Sequence, residues 1–260
     1  MKKTALITGA CINTGVAIVE KFAAEGYDVV FTGRSEEKVR AAEAAYREKF
    51  PEVKILGYAI DSLINPTTVD EKAVFDLFAD LDAKGIFVET LVLNAADQGL
   101  GMKIFESPLT DLMKVINTNV VWNFCLCEHA AKRMKEQGGG NIVFLNSNTA
   151  YRAIPDRVAY VASKGGQLGL MRALALDLGK YNIRVNAVLP GMIRTERWKT
   201  NPDFYKTVPS RYTPIGDVAD GTDVADAVYY FAAHARNTTG AELVVDGGNT
   251  IQLYPIIPQE

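Results

Sequence analysis

The 260-residue chain predicts an α/β fold: a doubly wound parallel sheet of about seven strands with helices on both faces. Three observations predict it. Short β-branched runs alternate with longer amphipathic stretches along almost the whole length, the pattern of strand–helix–strand crossovers. The first such run passes through a glycine-containing turn into a helical stretch, which presents free backbone N–H groups to an anion. No repeat, low-complexity tract or linker interrupts the alternation. One domain over 1–260 is therefore expected, with two irregular segments: a loop at about 191–217 with three prolines, and a tail at 249–260.

Strands are expected at 4–8, 28–32, 53–60, 90–93, 142–146, 184–188 and 243–245, where β-branched and apolar residues run together. Helices are expected at 16–25, 36–50, 69–84, 109–136, 159–181 and 222–233, where apolar residues recur at helical spacing. Ser35, just before Glu36 and Glu37, suits the N-cap of the second helix. Gly138–Gly140 reads as a turn, not a boundary. Crossovers between parallel strands should be right-handed.

Bulk properties exclude several classes. A formal net charge of −3 argues against a nucleic-acid or anionic-membrane partner. No apolar run reaches the ~20 residues of a membrane span. Lys2 and Lys3 imitate a signal peptide, but Thr8, Gly9 and Asn13 break the apolar stretch that follows. Cys11, Cys125 and Cys127 are too few for a disulfide framework and fit a reducing, cytoplasmic setting. With only His129 and His234, no metal site is expected.

Two constellations carry chemistry. The first is the turn Thr8-Gly9-Ala10-Cys11-Ile12-Asn13-Thr14-Gly15 between strand and helix, suited to a pyrophosphate at a helix N-terminus. The second is Tyr160 and Lys164, four residues apart and so on one helix face, with Ser147 thirteen residues upstream. A cation at about 4 Å is worth roughly 4 kcal/mol at an effective dielectric of ~20, about three pKa units on a phenol. That is enough to make tyrosine a proton shuttle.

These motifs, in this order, resemble the short-chain dehydrogenase/reductase family, with its Rossmann-type fold. The loop is similar to the family's T-G-x-x-x-G-x-G turn, with Asn13, a residue tolerant of positive φ, in place of the middle glycine. Asn94-Ala95-Ala96 resembles the N-A-G segment beside the cofactor. Asn119, Ser147, Tyr160 and Lys164 match the catalytic tetrad. Pro190-Gly191, Ile193 and Thr195 match the segment that holds the nicotinamide, and Asp246-Gly247-Gly248 the end of the last strand. The four-residue Tyr–Lys spacing resembles the ketoreductase branch. The resemblance implies Tyr160 as acid/base, Ser147 on the reacting oxygen, Lys164 tuning the phenol and holding the ribose, and Asn119 positioning a water that links Lys164 to solvent. It also implies Asp61 on the adenine and a homotetramer or dimer packed through the helix bearing Gly165, Gly166, Gly169 and Ala173.

NAD binders place an acid at the end of the second strand. Here Gly33 stands there, and Asp28 lies roughly 16 Å away along an extended strand. Arg34 and Ser35 suit a 2′-phosphate instead, so NADP is favoured over NAD. The expected activity is hydride transfer between NADP(H) and a ketone or secondary alcohol, a small-molecule substrate. Asn148, Arg152, Arg157, Arg194 and Arg197 favour a polar or anionic one, such as a sugar, sugar acid or hydroxy acid. Trp198, Phe204, Tyr205 and Tyr212 keep open an NAD-dependent dehydrogenase of a steroid or other bulky alcohol. A non-enzymatic dinucleotide-binding regulator is the alternative from another class.

Overall fold

The computed structural model describes residues 2–196, 198 and 212–253. Arg197 and residues 199–211, with Phe204 and Tyr205, lie outside the described residues, as do 254–260 of the tail. A seven-stranded sheet runs in the order β3-β2-β1-β6-β7-β8-β9, every neighbouring pair parallel. Its strands are β1 (Thr4–Ile7), β2 (Asp28–Gly33), β3 (Ile55–Ala59), β6 (Thr90–Leu93), β7 (Gly140–Leu145), β8 (Ile183–Pro190) and β9 (Glu242–Val245). The α-helices are α1 (Asn13–Ala24), α2 (Glu36–Lys49), α3 (Glu71–Ala83), α4 (Leu109–Ile116), α5 (Trp122–Glu136), α6 (Val158–Gly179) and α7 (Gly221–Tyr229). No helix among the described residues is long and apolar enough to cross a membrane.

The strands are apolar on both sides because helices cover both faces. Alternate residues of one strand feed opposite cores. Leu91 and Leu93 pack with Phe78, Leu126, Phe144 and Met171, while Val92 between them packs with Ile18, Phe22, Phe31 and Val228. The chain builds outward from β1 to β3 on one side and from β6 to β9 on the other. The loops after β1 and β6 therefore part company and leave a crevice at the C-terminal ends of the strands.

The stretches before α3, across 109–136 and at the end of α7 differ from the sequence reading, the last because the helix expected over 222–233 becomes a π-helical turn at Tyr230–His234. A short antiparallel hairpin, β4 (Leu63–Asn65) with β5 (Thr68–Val69), precedes α3. The helix expected from 69 begins two residues later because Asp70 caps it, its carboxylate accepting the Ala73 N–H at 2.9 Å. The helix expected over 109–136 is divided by a π-helical turn, Asn117–Val121. The wider turn releases the Asn119 carbonyl to the side chains of Asn123 (2.8 Å) and Gln167 (2.6 Å). Such a turn leaves the apolar periodicity on either side nearly intact, so the pattern reads as one helix.

Candidate active site

The crevice is stitched together by the chain's own hydrogen bonds. The Thr8 hydroxyl accepts the N–H groups of Asn94 and Ala95, each at 3.0 Å. The Asn94 amide donates back to the carbonyls of Thr8 (2.8 Å) and Gly9 (2.9 Å). Gly9 takes φ 66° and Asn13 φ 51°, the left-handed conformation expected of asparagine there. A Cβ at Gly15 would lie 2.6 Å from the Gly9 carbonyl and 2.9 Å from the Asn94 amide, so the turn closes only around glycine.

The N-terminus of α1 is open. Ile12 stands at the N-cap, offers no side-chain hydrogen bond and is exposed, and no acid occupies the first turn. Thr14 lies at this end, buried. Unsatisfied N–H groups and a positive dipole end fit a pyrophosphate. At the end of β2, a Cβ on Gly33 would lie 2.4 Å from Cys11 Sγ and 2.9 Å from Val39 Cγ2. Arg34 beside it is exposed, without a hydrogen bond or ion pair to any described residue. Ser35 caps α2 by accepting the Lys38 N–H at 3.4 Å. Burial pushes the Cys11 thiol pKa up, and the Lys38 ammonium acts on it in the opposite direction. Lys38 is thus a second cation at this corner, missed in the sequence although Ser35 places it in the first turn of α2. Asp61, exposed after β3, accepts the Leu63 N–H at 3.4 Å. Pro190 ends β8, Gly191 packs against Asp246, and Ile193 bridges to Ala219, with Thr195 following, half-buried.

Ser147, Tyr160, Lys164 and Asn119 are brought together where β7 ends, α6 begins and the π turn passes. Burial pushes the Tyr160 phenol up, while the Ser147 hydroxyl beside it and the Arg157 charge pull it down. Lys164 is 1 % exposed. Its Nζ donates to the Leu145 carbonyl (2.9 Å) and the Gln167 side-chain oxygen (3.1 Å) and stands 5.5 Å from the Tyr160 ring centroid. Burial lowers its pKa to about 7. Burial is the larger influence on the phenol, and the ammonium is turned toward the end of β7. The Asn119 side-chain amide holds the backbone of Asp97 and the Ser163 hydroxyl, and its backbone carbonyl accepts from Gln167.

The cations expected to face substrate are engaged elsewhere. Arg194 pairs with Asp217 (2.8 Å) and Asp220 (2.9 Å). Arg152 donates to the Gln252 carbonyl, and Arg157 to the Gln98 carbonyl at 3.0 Å. Arg197 lies outside the described residues. Asn148 joins the tail instead, reaching Asp246 (3.3 Å) and Asn249 (3.1 Å). Asn249 in turn donates to the Tyr212 carbonyl at 2.7 Å.

Comparison with known proteins agrees with this geometry. A family model described as enoyl-(acyl carrier protein) reductase matches residues 9–250. An L-rhamnose 1-dehydrogenase (NAD(P)(+)) of Azotobacter vinelandii is 34% identical over 260 residues, covering 96% of this chain and 98% of that protein. A 3alpha-hydroxysteroid dehydrogenase of Mediterraneibacter gnavus is 33% identical over 246 residues, covering 94% and 96%. The solved L-sorbose reductase of Gluconobacter frateurii, complexed with NADPH and L-sorbose, superposes with a TM-score of 0.87 at 26% identity, covering 97% of this chain and 98% of that one. The crevice at the strand ends, the four residues beside it and these matches over nearly the whole length lead to one conclusion: the chain belongs to the short-chain dehydrogenase/reductase family of oxidoreductases, enzymes acting on CH–OH and C=O groups.

Proposed function

We propose that the chain transfers hydride between NADP(H) and a ketone or secondary alcohol of a polar, sugar-like substrate, with Tyr160 as acid/base. The observation that carries this reading is the Tyr160 phenol held against the Ser147 hydroxyl, one helical turn from Lys164, at the edge of the crevice. The nicotinamide cofactor, when bound, supplies or accepts the hydride. The protein's own part is proton handling. Ser147 holds the reacting oxygen with a hydrogen bond, and Tyr160 donates the proton that oxygen gains on reduction. A phenol raised by burial stays protonated at neutral pH, which suits donation. The buried Lys164 places its amine one helical turn from the phenol.

The NADP preference rests on the closed end of β2. Cys11 and Val39 fill the space where an acid at position 33 would stand, and Arg34 and Lys38 offer positive charge. The substrate reading rests on polar, neutral Asn148 beside Ser147 and on the named sugar substrates of two relatives. With Arg152 and Arg194 already engaged, a neutral polyol is favoured over an anion. The steroid alternative rests on the Mediterraneibacter relative. We also infer a homotetramer packed through α6, where Cβ atoms added at Gly165 and Gly169 would meet open space. A single-chain mass in light scattering would overturn this.

Tyr160→Phe should lower kcat about 10²–10⁴-fold on ketose or polyol substrates while NADPH still binds. Full activity in that variant ends the acid/base assignment, and turnover of steroid ketones alone ends the sugar-like one. Arg34→Ala should raise the KM for NADPH roughly tenfold or more and leave that for NADH nearly unchanged. An equal change for both cofactors would remove the NADP preference.

Burying Lys164 also links stability to pH. Its folded pKa, about 7, lies below the ordinary 10.5. Between those values the unfolded chain binds more protons, so this group's contribution to stability rises with pH. Lys164→Met should abolish activity yet raise Tm at pH 7 by about 2–4 °C, the equivalent of about 1 kcal/mol. The variant's Tm should also gain less than the parent's between pH 7 and 10. A lower Tm at pH 7 would mean that the hydrogen bonds to Leu145 and Gln167 outweigh the burial cost.

A further inference from the structure

We propose that Gln167 is a positioning residue of the reaction, its side-chain amide joining the Asn119 carbonyl directly to the Lys164 ammonium in the place of a bridging water. The proposal rests on the assignment of Tyr160, Ser147, Lys164 and Asn119 made above.

Gln167 is fully buried. It lies three residues beyond Lys164 on α6, and so on the same face. Its Nε2 donates to the Asn119 carbonyl at 2.6 Å, and its Oε1 accepts from Lys164 Nζ at 3.1 Å. The direction of the amide follows from its neighbours. A carbonyl only accepts and an ammonium only donates, so nitrogen must face Asn119 and oxygen must face Lys164. The same Oε1 accepts from Asn146 Nδ2 at 3.1 Å. Asn146 also donates to the Lys164 carbonyl (2.9 Å) and accepts the Ser147 N–H (2.7 Å). One amide thus touches the π turn, the ammonium and the strand end that carries Ser147.

Leucine would fill the same volume and satisfy none of these groups, whereas glutamine has one donating and one accepting end at the required reach. A buried network in which one amide meets three partners fixes geometry. It holds and does not relay, because neither end of an amide titrates near neutral pH. Among the groups facing the ammonium, Tyr160 of the same helix is the titratable one. β7 presents the Leu145 carbonyl and the Asn146 amide, and the π turn is reached through neutral Gln167.

The test compares Gln167→Leu with Gln167→Ala. Leucine removes all three hydrogen bonds and leaves no room for water. Alanine opens a polar cavity in which water can bridge Asn119 and Lys164 again. If Gln167 positions, the leucine variant loses about tenfold to a hundredfold in kcat. The alanine variant then loses less, despite its lower Tm. The pH limb of kcat/KM for alcohol oxidation should also move about one unit to higher pH in the leucine variant, since a less charged Lys164 supports the phenolate less. If Gln167 only fills space, leucine retains more activity than alanine and the limb stays in place. Either of those results overturns the proposal. Tyr160→Phe, run in parallel, separates the two readings: full activity there fells the tetrad assignment itself, while an inactive Tyr160→Phe beside an active leucine variant fells only the role of Gln167.

Discussion

The interaction on which the rest of the site depends is the burial of the Lys164 ammonium among neutral acceptors. A cation removed from water must be given hydrogen-bond acceptors by the protein. Here the Leu145 carbonyl and Gln167 supply them. Supplying them has consequences in three elements. β7 must end at Leu145, so that a carbonyl is left pointing at α6. α6 must carry Gln167 on the same face as Lys164. The helix pair α4–α5 must widen at Asn117–Val121 so that a backbone carbonyl is free to hold the other end of Gln167. The π turn is therefore part of the solvation of a lysine.

The crevice obeys a different constraint, close approach of backbone. Gly15, Gly33 and Gly191 each sit where a Cβ would fall within 2.6 Å of another atom. At Gly15 and Gly191 the crowding tightens the loops around the space a dinucleotide would take. At Gly33 the neighbour is the Cys11 sulfur. One residue of the phosphate loop thereby closes the position from which an acid would read a ribose hydroxyl. In the proposed reading, cofactor preference is shared between β2 and the loop after β1, since a side chain at position 33 would have to displace the Cys11 sulfur.

The order of strands and helices was legible because each element carries its own period and the sheet is covered on both faces. Thr8–Gly15, Ser147, Tyr160 and Lys164 were legible because their spacing along the chain is itself the signal, and Asn13 behaves at φ 51° as its residue type predicted. The orientation of the lysine was not. The i to i+4 spacing puts Tyr160 and Lys164 on one face, but it cannot say that the ammonium turns toward β7, which depends on a carbonyl nineteen residues upstream. Gln167 was passed over for a related reason: a lone glutamine in an apolar helix has no pattern, and its two partners arrive from separate elements. Lys38 was hidden because it reads as one more surface charge until the cap at Ser35 fixes the first turn of α2.

The described arginines near the substrate side show how a cation counted along the sequence can be engaged by the fold. Counted along the sequence, the segment after Gly191 is rich in cations. In the fold Arg194 is held between Asp217 and Asp220, carboxylates more than twenty residues away, and the Arg152 guanidinium fastens the backbone at Gln252. Both act on the frame around the pocket, tying the post-β8 segment to the start of α7 and the tail to the loop after β7. Asn148 orders the start of the tail in the same way, through Asp246 and Asn249. Asp246 is held below the usual carboxylate range: burial works upward, but hydrogen bonds from Thr250 and Gly248 prevail. Its charge is thus spent on the turn that begins the tail. Among the described residues, then, Arg152, Arg194 and Asp246 each spend their charge on holding the frame together.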